Sequence, residues 1–93
     1  MKENSKGGAI TEVTFFILLA TIEPLHGYGI LTFVDKITEG RLVLEAGTLY
    51  GALNTLVRKN LLSIEEEMKS DTKVTKLYQI TERGKSCIEK RNI

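Results

Sequence analysis

Wound at about 3.6 residues per turn, the stretch Ala46-Gly-Thr-Leu-Tyr-Gly-Ala-Leu-Asn-Thr-Leu-Val-Arg-Lys-Asn60 divides into two unlike faces. Leu49, Ala52, Leu53, Leu56 and Val57 fall at i, i+3, i+4, i+7 and i+8, a single apolar stripe. The opposite face carries Thr48, Gly51, Thr55, Arg58 and Lys59, with Tyr50 and Asn54 on its flanks. Such a helix rests on a core by one side and keeps the other in water. Asn60, which tolerates the left-handed backbone conformation, predicts its end.

Upstream, two more helices are expected. Thr11 is a suitable N-cap, and Val13, Phe16, Ile17 and Ala20 follow at helical spacing. Leu18, Leu19 and Ile22 spread the apolar surface around most of that helix, so it needs cover on more than one side, part of it from a second subunit. Pro24 predicts its stop. After Leu25-His-Gly27, a second helix places Tyr28, Leu31, Val34 and Ile37/Thr38 on one stripe with Ile30 beside it, while Asp35, Lys36 and Glu39 face water. Gly40 is expected as the left-handed residue that ends it, and residues 41–45 read as a short extended connector. Residues 1–9 are mainly polar, contain Gly7-Gly8, and read as a flexible arm.

Downstream, the period changes to two. Leu62 and Ile64 alternate with Ser63 and Glu65; Val74, Lys76, Tyr78 and Ile80 alternate with Thr75, Leu77 and Gln79. Lys69-Ser-Asp-Thr-Lys73 supplies turn residues, which predicts a hairpin with a loop longer than two residues. The acidic run Glu65–Glu67 is expected to face away from any polyanion. Thr81 then caps a last helix with a thin apolar stripe of Gly84, Cys87 and Ile88. The chain is therefore mainly α with a small β-hairpin in the order α-α-α-β-β-α, a winged helix-turn-helix. Residues 10–81 form the winged helix and residues 82–93 a C-terminal helix.

Composition narrows the function. The chain has 93 residues, fitting one domain, and 13 Lys and Arg against 12 Asp and Glu give a net charge of +1. Its longest apolar run, Phe15 to Ala20, is far short of the roughly 20 residues that cross a bilayer. The run is preceded by no basic leader with a small-residue cleavage site, so neither a membrane span nor secretion is expected. The lone Cys87 cannot form an internal disulfide, in keeping with a reducing, cytoplasmic setting. With one His and one Cys the chain lacks the ligands for a metal site within one subunit, and no cofactor signature occurs. No nucleophile has an adjacent base and orienting group, so an enzyme is not expected.

Three stretches together carry a resemblance: Leu25-His-Gly-Tyr-Gly-Ile30, Ala46-Gly-Thr-Leu-Tyr-Gly-Ala-Leu53 and Leu77-Tyr-Gln-Ile-Thr-Glu-Arg-Gly84. In order and spacing they resemble the PadR family of winged-helix transcriptional regulators, over roughly residues 10–85. The resemblance implies a homodimeric repressor of double-stranded DNA, with the first and last helices forming the dimer interface and a small hydrophobic effector relieving repression. It points to Phe15, Phe16 and Leu19 in the first helix and Cys87 and Ile88 in the last as interface residues. The chain departs from the family pattern in three respects. Asn54-Thr55 stand where many members carry a Lys-Arg pair, the last helix stops at Ile93, and there is no tryptophan to build the two-tryptophan drug pocket of one branch.

Side-chain chemistry refines the DNA expectation. Asn54 suits a bidentate bond to adenine, Thr48 and Thr55 suit a base or methyl group, and Arg58 and Lys59 suit phosphate or guanine. Tyr50 suits a base edge or a phosphate. Lys69, Lys73 and Lys76 on the hairpin suit the phosphate backbone, and the N–H groups near Gly27 and Tyr28 suit one phosphate. The alternative reading is a winged-helix module for protein contact without specific DNA binding, in keeping with the near-zero net charge.

Overall fold

The computed structural model describes residues 10–70 and 73–91, so the arm at 1–9 lies outside the described residues. Its elements run α1 (Glu12–Ala20), α2 (Gly27–Ile37), α3 (Ala46–Arg58), β1 (Leu62–Ser70), β2 (Lys73–Ile80) and α4 (Glu82–Arg91). This is the winged helix-turn-helix order expected from the sequence.

Thr11 caps α1 by accepting the backbone N–H of Thr14 on its hydroxyl at 3.1 Å. The helix closes at Ala20, four residues before Pro24, which corrects the expected stop. Thr21 is fully buried and turns its hydroxyl back onto the carbonyls of Ile17 and Leu18, both at 3.0 Å. Its own carbonyl accepts the N–H of Ile80 at 2.9 Å, so the end of β2 takes the group that another helical turn would have needed.

Helices α2 and α3 end in the same way. The N–H of Gly40 bonds the carbonyl of Asp35 and that of Glu39 bonds Lys36; likewise Leu61 bonds Leu56 and Asn60 bonds Val57. These are Schellman closures, with the left-handed residue at Glu39 (φ 54°) in one and Asn60 (φ 65°) in the other. The Asn60 expectation holds. Gly40, also at positive φ, stands one residue beyond the expected position.

Ile17 and Leu18 of α1, Ile30 and Val34 of α2, and Leu49 and Leu53 of α3 are all fully buried, and Leu62, Tyr78 and Ile80 of the hairpin close over them. On α2 the buried line is Gly27, Ile30 and Val34. Tyr28 and Ile37, expected on the apolar stripe, are exposed: Tyr28 lies about 100° around the helix from Gly27, and Ile37 follows the line of Ile30 but stands at the last residue of the helix. Gly84 lets α4 approach closely: a Cβ there would meet the Leu61 carbonyl oxygen and Ile80.

The hairpin is longer than its alternation suggested. β1 and β2 pair antiparallel from Leu62↔Ile80 to Ser70↔Lys73, with an irregularity between Met68 and Ser70. Lys69, Ser70 and Lys73 thus belong to the strands, and only positions 71 and 72 separate the last paired residues, which corrects the longer loop. On its other edge β2 meets Leu25, whose N–H and carbonyl exchange bonds of 3.0 and 2.8 Å with Tyr78. That bridge ties the start of α2 to the wing. Among the described residues, no helix is long and apolar enough to cross a membrane.

Candidate nucleic-acid interface

With Leu49, Leu53 and Leu56 committed to the core, helical geometry sends Gly47, Gly51, Asn54 and Arg58 to the outside of α3. Thr48, Tyr50, Asn54, Arg58 and Lys59 are exposed, and Thr55 is half-buried. Nothing lies within 4 Å of where a Cβ would sit at Gly47 or Gly51. The middle of this face is therefore bare backbone, with polar side chains on both sides.

Those sides meet different surroundings. One flank of α3, a segment of α2 and the wing enclose a cleft of about 340 Å³ lined by His26, Gly27, Tyr28, Tyr50, Thr75, Lys76 and Tyr78. His26 Nε2 and Thr75 Oγ1 lie 3.3 Å apart, a hydrogen bond between helix start and wing. The Tyr50 hydroxyl occupies the space that a side chain at Gly27 would need, so Gly27 lets α2 close onto α3. Burial pushes the Tyr78 phenol above its ordinary value, and neighbouring Tyr50 adds to the shift. At the α2 N-terminus His26 gives no side-chain cap, and the first helical bond runs from Ile30 to the His26 carbonyl at 3.1 Å. The N–H groups ahead of that bond have no acceptor within the helix, and Tyr28 beside them is 77% exposed.

The opposite flank of α3 places Thr55 and Lys59 along a second groove of about 280 Å³, shared with Ile10, Thr11, Thr14, Ala52, Leu56 and Leu61. The Thr55 hydroxyl donates to the Gly51 carbonyl at 3.1 Å. The expected DNA face is thus brought together in part. Tyr28, Tyr50 and Lys76 share the cleft, Asn54 and Arg58 lie on the open face, and Thr55 and Lys59 turn toward α1. The side chains of Lys69 and Lys73 lie outside the described residues. Sequence reasoning missed Thr75 and Tyr78 as cleft walls, because the Leu25–Tyr78 bridge that draws the wing against α2 has no local signature.

The expected interface residues lie on a different part of the molecule. Phe15, Phe16, Leu19, Cys87 and Ile88 are each half-buried. Phe16, Cys87 and Ile88 pack on the core, and the Phe15 and Phe16 rings meet edge to face with centroids 5.4 Å apart. Ile22, just past α1, is 48% exposed. Among the described residues no group of three His, Cys, Asp or Glu side chains is placed to hold a metal ion.

No curated protein sequence matches the chain, but solved structures do. Bacillus subtilis PadR in complex with operator DNA superposes with a TM-score of 0.79 at 19% identity, over 88% of this chain and 47% of that one. A PadR family transcription regulator from Clostridium difficile gives 0.70 at 24% identity, over 88% and 84%. A PadR-like transcription factor from Bacteroides fragilis gives 0.70 at 30% identity, over 86% and 75%. The chain thus spans about half the length of the Bacillus subtilis protein. The sequence pattern described as the transcriptional regulator PadR-like family matches residues 16–90, and the chain belongs to that family.

Proposed function

We propose that the chain is a sequence-specific DNA-binding repressor that acts as a homodimer in the cytoplasm. The observation that carries the reading is the exposed polar face of α3 beside a cleft that joins the start of α2 to the wing. In this reading α3 enters the major groove, Asn54 reads a base edge, and Arg58 grips phosphate. Tyr28, the first N–H groups of α2 and Lys76 hold the backbone alongside, with Thr48 and Tyr50 beside them and Thr55 and Lys59 on the opposite flank of α3. Lys69 and Lys73 extend the same grip along the wing. The complex of Bacillus subtilis PadR with operator DNA supports a duplex partner.

Residues 10–81 form the DNA-binding unit, and α4 serves dimerisation. The half-covered apolar residues of α1, with Cys87 and Ile88 on α4, supply the self-association surface. Two recognition helices then enter grooves about 34 Å apart, and the operator is an approximate inverted repeat. A small hydrophobic effector would act by favouring a dimer geometry that no longer matches that spacing.

The test is fluorescence anisotropy with duplex from upstream of the chain's own gene against random duplex, over a range of salt. Binding that favours the upstream duplex by about a thousandfold or more is expected. Arg58→Ala should weaken both complexes and shallow the salt slope by about one unit. Asn54→Ala should relax base choice at one position, and equal loss on both duplexes would remove its assigned role. Absence of binding to either duplex at low salt would overturn the reading in favour of a protein-contact module.

A further inference from the structure

β1 carries three carboxylates in succession, and the register decides which of them meets the cation of the wing. Glu66 stands opposite Lys76, whereas Glu65 stands opposite Leu77. Residues directly opposite in an antiparallel ladder project from the same face with Cβ atoms about 5 Å apart. Lys76 lines the cleft with Tyr28 and Tyr50; by register Glu66 shares its face of the hairpin, whereas Glu65 shares the face of Leu77 and Thr75. Glu66 and Lys76 are both exposed. The register thus separates Glu66, which shares a face with Lys76, from Glu65, which does not. A carboxylate within a Debye length of about 8 Å offsets a neighbouring ammonium and repels an incoming phosphate.

We propose that Glu66 restrains the wing: it offsets the charge of Lys76, so the hairpin adds little sequence-independent attraction for duplex DNA and discrimination is left to α3. The proposal rests on the reading of the α3–wing face as DNA-binding. Glu66 contacts no base in it; it acts through Lys76.

The test uses the whole chain, random duplex and fluorescence anisotropy at several salt concentrations. Glu66→Gln keeps the shape of an exposed side chain, and an unchanged melting curve confirms the fold. At low salt it should tighten binding roughly three- to fivefold and steepen the logarithmic salt slope by up to about one unit. In a Lys76→Gln background the gain from Glu66→Gln should fall to about half or less, because the cation it releases is gone. Glu65→Gln, on the other face, should change binding by less than about 1.5-fold. Equal gains from Glu65→Gln and Glu66→Gln, or a full gain without Lys76, would overturn the proposal in favour of a general charge effect. No gain from Glu66→Gln would also overturn it, leaving the DNA reading intact. Failure of the wild-type chain to bind any duplex at low salt would remove both.

Discussion

Helices α1 and α3 are anchored in the same core but meet their surroundings differently. α3 turns Leu49, Leu53 and Leu56 inward and shows solvent Thr48, Asn54 and Arg58. α1 buries Ile17, Leu18 and Ala20, yet Val13, Phe15, Phe16 and Leu19 are only half-covered, and Ile22 beyond its end is exposed. The outer side of α3 is satisfied by water and suits a polar, charged partner. The outer side of α1 still has apolar area to bury, about 25 cal/mol for each Å² removed from water, and suits an apolar partner. One small fold thus presents two chemically opposite surfaces.

The comparison is broken most severely from the inside. Leu53→Ala removes a fully buried side chain from the stripe that seats α3. A loss of about 2–5 kcal/mol is expected from chemical denaturation, enough to unfold a small domain. The loss should be the same at every protein concentration, since Leu53 faces the chain's own core.

Leu19→Ala sharpens the contrast, because Leu19 is half-buried within one chain. At high dilution the variant should lose only about 1 kcal/mol, less than Leu53→Ala. If α1 is part of a self-association surface, the wild-type melting temperature rises with protein concentration and the variant loses most of that rise. Parallel melting series at several concentrations decide this. A concentration-independent deficit in Leu19→Ala, with a flat wild-type series, would remove α1 from the interface.

The same two helices mark where the fold was legible in the sequence. On α3 a narrow stripe and a residue suited to left-handed backbone determined the buried side and the end, and the structure agrees on both, although Thr55 is half-buried toward α1 and Asn54 takes the open face. On α2 the period was right but its phase was not. Tyr28 is apolar enough to join a stripe, but Gly27, Ile30 and Val34 meet the core, and the Leu25–Tyr78 bridge that seats this end of α2 joins residues 53 apart in sequence (78 − 25). Glu39, a poor left-handed residue, closes the α2 Schellman motif because Gly40 is needed one position later. The α1 stop was misjudged because Pro24 is a visible local signal, whereas the carbonyl of Thr21 is claimed by a strand 59 residues away (80 − 21). The cleft follows the same rule. Tyr50 and Lys76 were nominated from their own chemistry, but their meeting depends on hairpin register, which alternation alone does not set.

The smallest effect is expected where the two helices communicate. Arg41, in the connector that leads into α3, grips Glu12 of the first turn of α1 with two bonds, Nη2–Oε2 at 2.7 Å and Nη1–Oε1 at 3.3 Å. The bond and charge of Glu12 raise the Arg41 guanidinium above its ordinary value, so it stays charged at any working pH. Both side chains are about half-exposed, so solvent screening keeps the pair weak despite its fork geometry. Glu12 also lies at the positive end of the α1 dipole, worth about 0.3–1 kcal/mol. Glu12→Gln should therefore destabilise more than Arg41→Gln, with both losses shrinking in molar salt. If the pair also sets where α3 begins, Arg41→Gln will lower preference for the upstream duplex over random duplex while leaving random binding nearly unchanged. A uniform drop on both duplexes would instead mean that Arg41 contributes only its charge.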